Sequence, residues 1–235
     1  MNTTDPVVGK GAAAGLAGLP MPARRILADE VHESITALIM DHAIPPDTKV
    51  SIEELARRLE VSPTPVRESL ARLEAAGLVR KEALRGYFTT RLLNRTELDE
   101  LFEFRRLLEP RAARTAAAKV TAEGAGQLRA ELRTAGSIPT GADYDSYKSL
   151  AAHDTRFHLL VFELAGNRVM RNAFEGTRCH LHLFRLFYGS ALATPAVQEH
   201  RRIVAAITAH DPDAAEAAML AHIDASYERL KPAAT

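Results

Sequence analysis

Apolar residues recur at helical spacing along most of this chain. In RRILADEVHESITALIMDHAI, Ile26, Val31, Ile35, Leu38 and Ile39 fall on one stripe, the buried face of an amphipathic helix. The PPD that follows ends it, because proline lacks the backbone donor and restricts the residue before it. Ser51 is placed to cap IEELARRLE, with Glu54 three residues on completing a capping box. Val61 to Thr64 reads as a turn, Pro65 suits the first turn of a helix running to Ala76, and Gly77 is its terminator.

After Gly77 the spacing shifts to alternation. Leu78 to Lys81 and Tyr87 to Thr90 predict two short strands, with Gly86 in the connection. Beyond Asn94 the helical period returns over roughly 96–119, 122–135, 143–165, 167–190, 195–209 and 212–231, with Thr96, Asp143, Asn167 and Asp211 as N-caps. The expected protein is mainly α. Residues 1–20, with the Ala/Gly tract KGAAAGLAGLP, form a disordered tail; 21–93 form a winged helix-turn-helix; 94–235 form an all-helical bundle of about six helices.

Composition narrows the classes. The 235 residues are 46% hydrophobic and 26% charged, and no apolar run approaches the roughly 18 residues of a membrane span. One cysteine, Cys179, excludes an internal disulfide framework and fits a reducing cytoplasm; it is expected to be a small buried apolar group. Formal net charge is zero, yet Arg57 to Arg91 holds eight Lys/Arg against four Asp/Glu. That local excess falls on the helix-turn-helix and hairpin. Here the N-terminal end of the second helix offers Ser62, Thr64 and Arg67 to base edges and phosphates. Arg72, Arg80, Lys81, Arg85 and Arg91 add positive charge for the DNA backbone, and Gly86 lets the wing tip come close to it.

The stretch SIEELARRLEVSPTPVRESLARLEAAGLVRKEALRGYF resembles the DNA-binding half of GntR-family bacterial transcriptional regulators, over Ile26 to Leu93. The resemblance implies a homodimer on a palindromic double-stranded operator. It puts Ser62, Thr64 and Arg67 on DNA-contacting positions and Arg85-Gly86 at the wing tip. The chain departs at Pro63, where many relatives carry arginine, and at Glu53, where some place a DNA-contacting arginine, so no operator sequence is carried over.

Seven of the nine histidines lie beyond residue 150. In YKSLAAHDTRFHLLVFELAGN, Asp154 and His158 share the apolar stripe of Tyr147, Leu150, Phe157 and Val161, one turn apart. His200 shares a stripe with Val197, Ile203, Val204 and Ile207, and His222 one with Met219, Ile223 and Leu230. An unpaired carboxylate on a core face needs a cation or donors nearby. One Asp and three His from three helices suit a divalent ion, Zn²⁺ foremost, with Ni²⁺, Mn²⁺ and Fe²⁺ as alternatives. His153 follows the solvent side of its helix. His180 and His182 lie on a core helix; His182 is taken as pocket-lining and His180 as packing.

ELFEFRRLLEPRAARTAA and AHDTRFHLLVFELAGN resemble the FCD ligand-binding domain found on one branch of these regulators, over roughly Thr96 to Leu230. By that resemblance Asp154, His158, His200 and His222 are metal ligands, and Arg105 faces an effector pocket; its alternative is a surface salt bridge with Asp99 or Glu109. Six helices rather than seven resemble the VanR-type subgroup. The chain is thus expected to be a cytoplasmic, non-enzymatic regulator, a repressor whose operator binding answers to a small carboxylate effector. The competing reading is a metal-dependent hydrolase with an accessory nucleic-acid-binding domain. No general base of the H-E-x-x-H kind accompanies the ligands. Two further readings are a purely structural metal and a polar cluster holding none.

Overall fold

A computed structural model describes residues 23–136, 141, 143–188 and 190–234. The tail expected over 1–20 lies outside them. The chain opens with α1 (Ala23–Met40), β1 (Lys49–Val50), α2 (Ile52–Arg58), α3 (Pro63–Ala75), β2 (Val79–Glu82) and β3 (Gly86–Thr89). Ser51 caps α2 as expected, its hydroxyl accepting from the Glu54 amide. Glu54 turns its own carboxylate to Arg57 instead of completing the reciprocal bond. The hairpin gains a third strand: β1 pairs antiparallel with β3, giving the order β1-β3-β2. Two residues are too few for alternation to announce that strand. Val31, Ile35 and Ile39 of α1 meet Val66, Leu70 and Leu73 of α3 in one core, closed by Leu78 and Val79.

Seven α-helices follow among the described residues: α4 (Arg95–Lys119), α5 (Ala122–Thr134), α6 (Tyr144–Ala165), α7 (Arg168–Thr177), α8 (Cys179–Leu186), α9 (Ser190–Thr208) and α10 (Pro212–Leu230). Asn94, not Thr96, caps α4, through a full capping box with Glu97. Asp143, Asn167 and Asp211 cap α6, α7 and α10 as expected. The stretch expected as one helix over 167–190 is two, broken at Arg178, which takes a left-handed φ of 49°. The count that suggested the VanR-type subgroup is therefore not the one found. α4 packs lengthwise on α10 and α6 around Phe102, Ala113, Phe157, Val161, Ile203 and Met219.

The two halves meet through the start of α6, where the Tyr144 amide donates to Asp41 Oδ1 at 2.7 Å, and through α8 and its flanks. Leu181 and Phe184 of α8 pack on the core of the first half. Arg185 is 1% exposed and donates to Thr90 Oγ1 and Thr90 O, each at 2.7 Å. Thr90 Oγ1 in turn donates to the Gly77 carbonyl at 2.9 Å, and His42 Nε2 meets the Arg185 carbonyl at 3.0 Å. Burial pulls the Arg185 pKa down to about 10, so the guanidinium still carries its charge at neutral pH. A buried cation held by neutral acceptors depends on all of them. Arg185→Ala is expected to destabilise the protein by about 3 kcal/mol, read from urea unfolding.

Candidate metal centre and DNA-binding face

At the middle of the bundle, α6 brings Asp154 and His158 to one face, α9 brings His200 and α10 brings His222. His158 Nε2 and His222 Nε2 are 3.3 Å apart. His200 Nε2 lies 3.4 Å from Asp154 Oδ1. The three imidazoles are at most 3% exposed, Asp154 is partly exposed, and the three histidine ligand atoms lie within 4.8 Å of one another.

What fixes these rings is a set of carboxylates behind them. His222 Nδ1 donates to Glu199 Oε2 at 2.7 Å. His158 Nδ1 is in contact with Glu109 Oε2, somewhat out of line. His153 Nδ1 sits 3.0 Å from Glu131 Oε1, and His153 Nε2 sits 3.2 Å from His200 Nδ1. An ionised carboxylate only accepts, so each facing Nδ1 must carry the proton. Through His153 the same logic reaches His200: Nδ1–H of His153 faces Glu131, its bare Nε2 accepts from His200, and His200 Nε2 is left bare. All three rings therefore turn lone pairs on Nε2 toward one point. His200 Nε2 is buried and has no hydrogen-bond partner. Burial, then the neighbouring histidines, hold the His200 pKa well below the ordinary range, and burial lowers that of His222 despite Glu199. Neutral imidazoles are the ligand form.

Each supporting carboxylate has its own arginine. Arg105 Nε donates to Glu109 at 2.5 Å, with both side chains 1% exposed. Burial opposes charge on both, yet each is the other's counter-ion, and the pair raises the Arg105 pKa and lowers that of Glu109. Arg229 grips both oxygens of Glu199 at 2.7 and 2.8 Å, and against burial the His222 and Arg229 bonds bring Glu199 down to about 2. Arg156 meets Glu131 at 3.0 Å. The supporting charges cancel in pairs, which leaves the carboxylate of Asp154 as the unpaired charge beside the rings. Bare nitrogens facing one another beside one anion make a donor set that fits a divalent cation.

A cavity of about 50 Å3 adjoins this set, lined by Arg105, Asp154, His200, His222, Tyr147 and Arg229 among others. That is room for about four water-sized groups. Arg105 thus stands on the cavity wall, and its salt bridge with Glu109 lies inside the bundle rather than at the surface.

Three other histidines differ from expectation. His153 is fully buried rather than on the solvent side, because α5 covers that face of α6 and supplies Glu131. His182 points the other way from the cavity: its ring lies against Gly77 of the first half and shares a cleft with Thr90 and Arg80. His180 turns inward, with Nε2 3.3 Å from Asp154 Oδ2. Two positions apart on a helix are nearly opposite faces, which separates these last two. Cys179 is buried as expected, and burial pushes its thiol up to about 12.

On the first half, Ser62, Thr64, Arg67, Arg72 and Arg85 are all exposed. Ser62 opens α3 without a side-chain cap bond, so its hydroxyl is uncommitted to the helix. Pro63 and Pro65 remove two of the first three amides that an anion would meet there. Arg72 is paired with Asp29 of α1 at 2.7 Å, and Arg85 pairs with Glu82. Gly86 takes a φ of +95° with nothing near the position of a side chain, at the open tip of the wing.

Glu109→Gln removes a charge on which Arg105 and His158 both rely. A loss of about 3–5 kcal/mol is expected, measured by chemical unfolding, with much of it regained in Arg105→Met/Glu109→Leu, which buries no charge at that spot.

The chain matches the gntR family of bacterial regulatory proteins over residues 27–88 and the FCD domain over residues 100–225. It is 30% identical over 203 residues to the probable D-xylose utilization operon transcriptional repressor of Paenarthrobacter nicotinovorans, covering 86% of this chain and 88% of that one. Against the HTH-type transcriptional regulator YdhC of Bacillus subtilis the identity is 26% over 205 residues, covering 86% and 90%. The solved structure of E. coli McbR/YncC shares the fold, with a TM-score of 0.62 at 19% identity over 88% of this chain and 97% of that one. The two sequence relatives are named as transcriptional regulators, not enzymes, which sets the hydrolase reading aside. No described helix is long and apolar enough to cross a membrane. The chain belongs to the GntR family of bacterial transcriptional regulators, with an FCD domain behind its winged helix-turn-helix.

Proposed function

We propose that this regulator is a cytoplasmic homodimer that represses transcription from a palindromic operator. It releases the operator when a small carboxylate enters the cavity beside Asp154, His200 and His222. The observation that carries this reading is the convergence of three carboxylate-fixed imidazoles on one point at the cavity wall. A divalent ion bound there by Asp154, His158, His200 and His222 would supply a Lewis-acidic positive charge for an anionic ligand. The charge balance favours a monoanion: paired arginines leave one negative charge at Asp154, and a dication turns that into one positive charge. Arg105, already anchored by Glu109, offers its remaining donors to the carboxylate.

The response reaches DNA through the protein's own joints. Leu183, Phe184, Phe187 and Tyr188 line the cavity, and the same stretch holds Thr90, His42 and Asp41 of the first half. A ligand that binds one setting of α8 better than the other would shift the spacing of two symmetry-related heads. At the DNA, Ser62, Thr64 and Arg67 face base edges, while Arg72, Arg85 and Gly86 face the backbone once Asp29 and Glu82 give up their partners.

Elemental analysis of the purified full chain should find about one metal per chain, lost in Asp154→Ala and in His200→Ala, along with thermal shifts given by small monocarboxylates. Wild type prepared without chelators that carries no metal would overturn the metal-anchored pocket. On duplexes that wild type selects from random sequence, Arg67→Ala should cost about 1–3 kcal/mol and relax preference at one position. Arg85→Ala should instead weaken all duplexes alike and lower the salt slope by about one. The reverse pattern would exchange their roles.

A further inference from the structure

The wing ends in a leucine that no part of the described fold covers. Leu84 is the most exposed of the large apolar side chains among the described residues, while Val79 and Phe88 of the same hairpin are buried. A lone exposed leucine is ordinary, but this one also holds a backbone that leucine disfavours, with a φ of +62°. The Arg85 amide donates to the Glu82 carbonyl at 3.2 Å and closes the turn, which puts Leu84 at its third position. With a left-handed backbone that position is ordinarily filled by glycine or asparagine. Either would sit there with less strain and put no apolar surface in water. Packing within the chain therefore gives no account of the leucine.

The surroundings of the tip point to its partner. Residues 79–89 hold Arg80, Lys81 and Arg85 against one acid, Glu82. Arg85 lies 5.0 Å over the Phe88 ring and Lys81 5.7 Å over the Tyr87 ring, so both charges are kept on the hairpin beside the apolar tip. β2 leaves α3 directly through Gly77 and packs on it. With α3 in the major groove, the groove beside it on B-DNA is the minor one. A cationic hairpin with an apolar tip suits that groove: the cations meet phosphates, and the tip meets the base step between them.

We propose that Leu84 is a wedge that enters the minor groove, partly unstacks one base step for each reading head and kinks the duplex there. This rests on the DNA-binding face described above and deepens it. Pyrimidine–purine steps unstack most readily, so the leucine selects sequence through deformability, with no hydrogen bond to a base. Leu84 is then a specificity-determining residue, distinct in role from Arg67 on α3.

The test uses the full chain on the duplex that wild type selects from random sequence. Fluorescence transfer between the duplex ends reads the bend, and permanganate, which attacks unstacked thymines, reads the step. Wild type should kink the duplex by about 20–90° and make a thymine reactive beneath each wing. It should favour a pyrimidine–purine step there over an A-tract step by about fivefold or more. Leu84→Asn should lose the kink, the reactive thymine and the step preference together. Its thermal midpoint should equal or exceed that of wild type, because asparagine accepts the left-handed turn. Leu84→Met keeps an apolar tip and should retain all three signals. A duplex that stays straight with wild type, or one that Leu84→Asn kinks and unstacks equally, would overturn the wedge. Weakened binding by Arg67→Ala and Arg85→Ala would in that case leave the DNA-binding face standing. If those two variants bind as wild type does, the face fails and the wedge with it. A Leu84→Asn chain altered in sedimentation but not in its effect on DNA would assign the leucine to contact between copies of the chain, which also overturns the wedge.

Discussion

Three carboxylates that can only accept hydrogen bonds decide the character of the bundle's centre. Glu109, Glu199 and Glu131 come from three different helices, and none belongs to the converging set itself. Each takes the proton-bearing side of an imidazole, directly or through His153, and so turns the bare side inward. Burying three anions to do this would be prohibitive without Arg105, Arg229 and Arg156 beside them. The arginines thus set the histidine tautomers at one remove. α4, α5, α6, α9 and α10 are tied to one another by that polar lattice as well as by the apolar core around it.

The second organising element is the short helix α8 with the residues after it. One side closes the cavity with Leu183 and Phe184; the other carries Arg185 and His182 to the turn after α3 and the end of the wing. Gly77 stands at the contact point. A side chain there would meet the His182 ring at 3.3 Å, and its φ of +77° already disfavours any other residue. The glycine that ends α3 therefore also admits the FCD domain.

Much of this was legible from the sequence because it is periodic. The stripe through Ile35 and Ile39, the cap at Ser51, the Gly86 hairpin, and the placing of Asp154, His158, His200 and His222 on core faces all follow from spacing. What escaped is set by partners distant in sequence. Glu131 and Glu199 look like solvent charges until α6 and α10 pack on them. His153 sits off the main apolar stripe and is buried because α5 covers its flank. Nothing local says that Arg178 would adopt a left-handed turn, so α7 and α8 merged into one stretch. With α8 misphased, His180 and His182 exchanged roles: the ring expected to pack faces Asp154, and the ring expected at the pocket faces Gly77.

The joint between the halves bears on how such a chain can diversify. Its reading head is not a cassette. Thr90 shares its hydroxyl between Arg185 and the Gly77 carbonyl, and His42 and Asp41 reach across to residues that flank the cavity. A head transplanted onto a foreign sensor would bury Arg185's counterpart without these acceptors, or expose an apolar seam at Leu181 and Phe184. On the winged helix-turn-helix half, freely variable positions are then those on the outward face of α3 and at the wing tip. On the FCD half they are those on the cavity walls, with the seam between the two halves inherited intact.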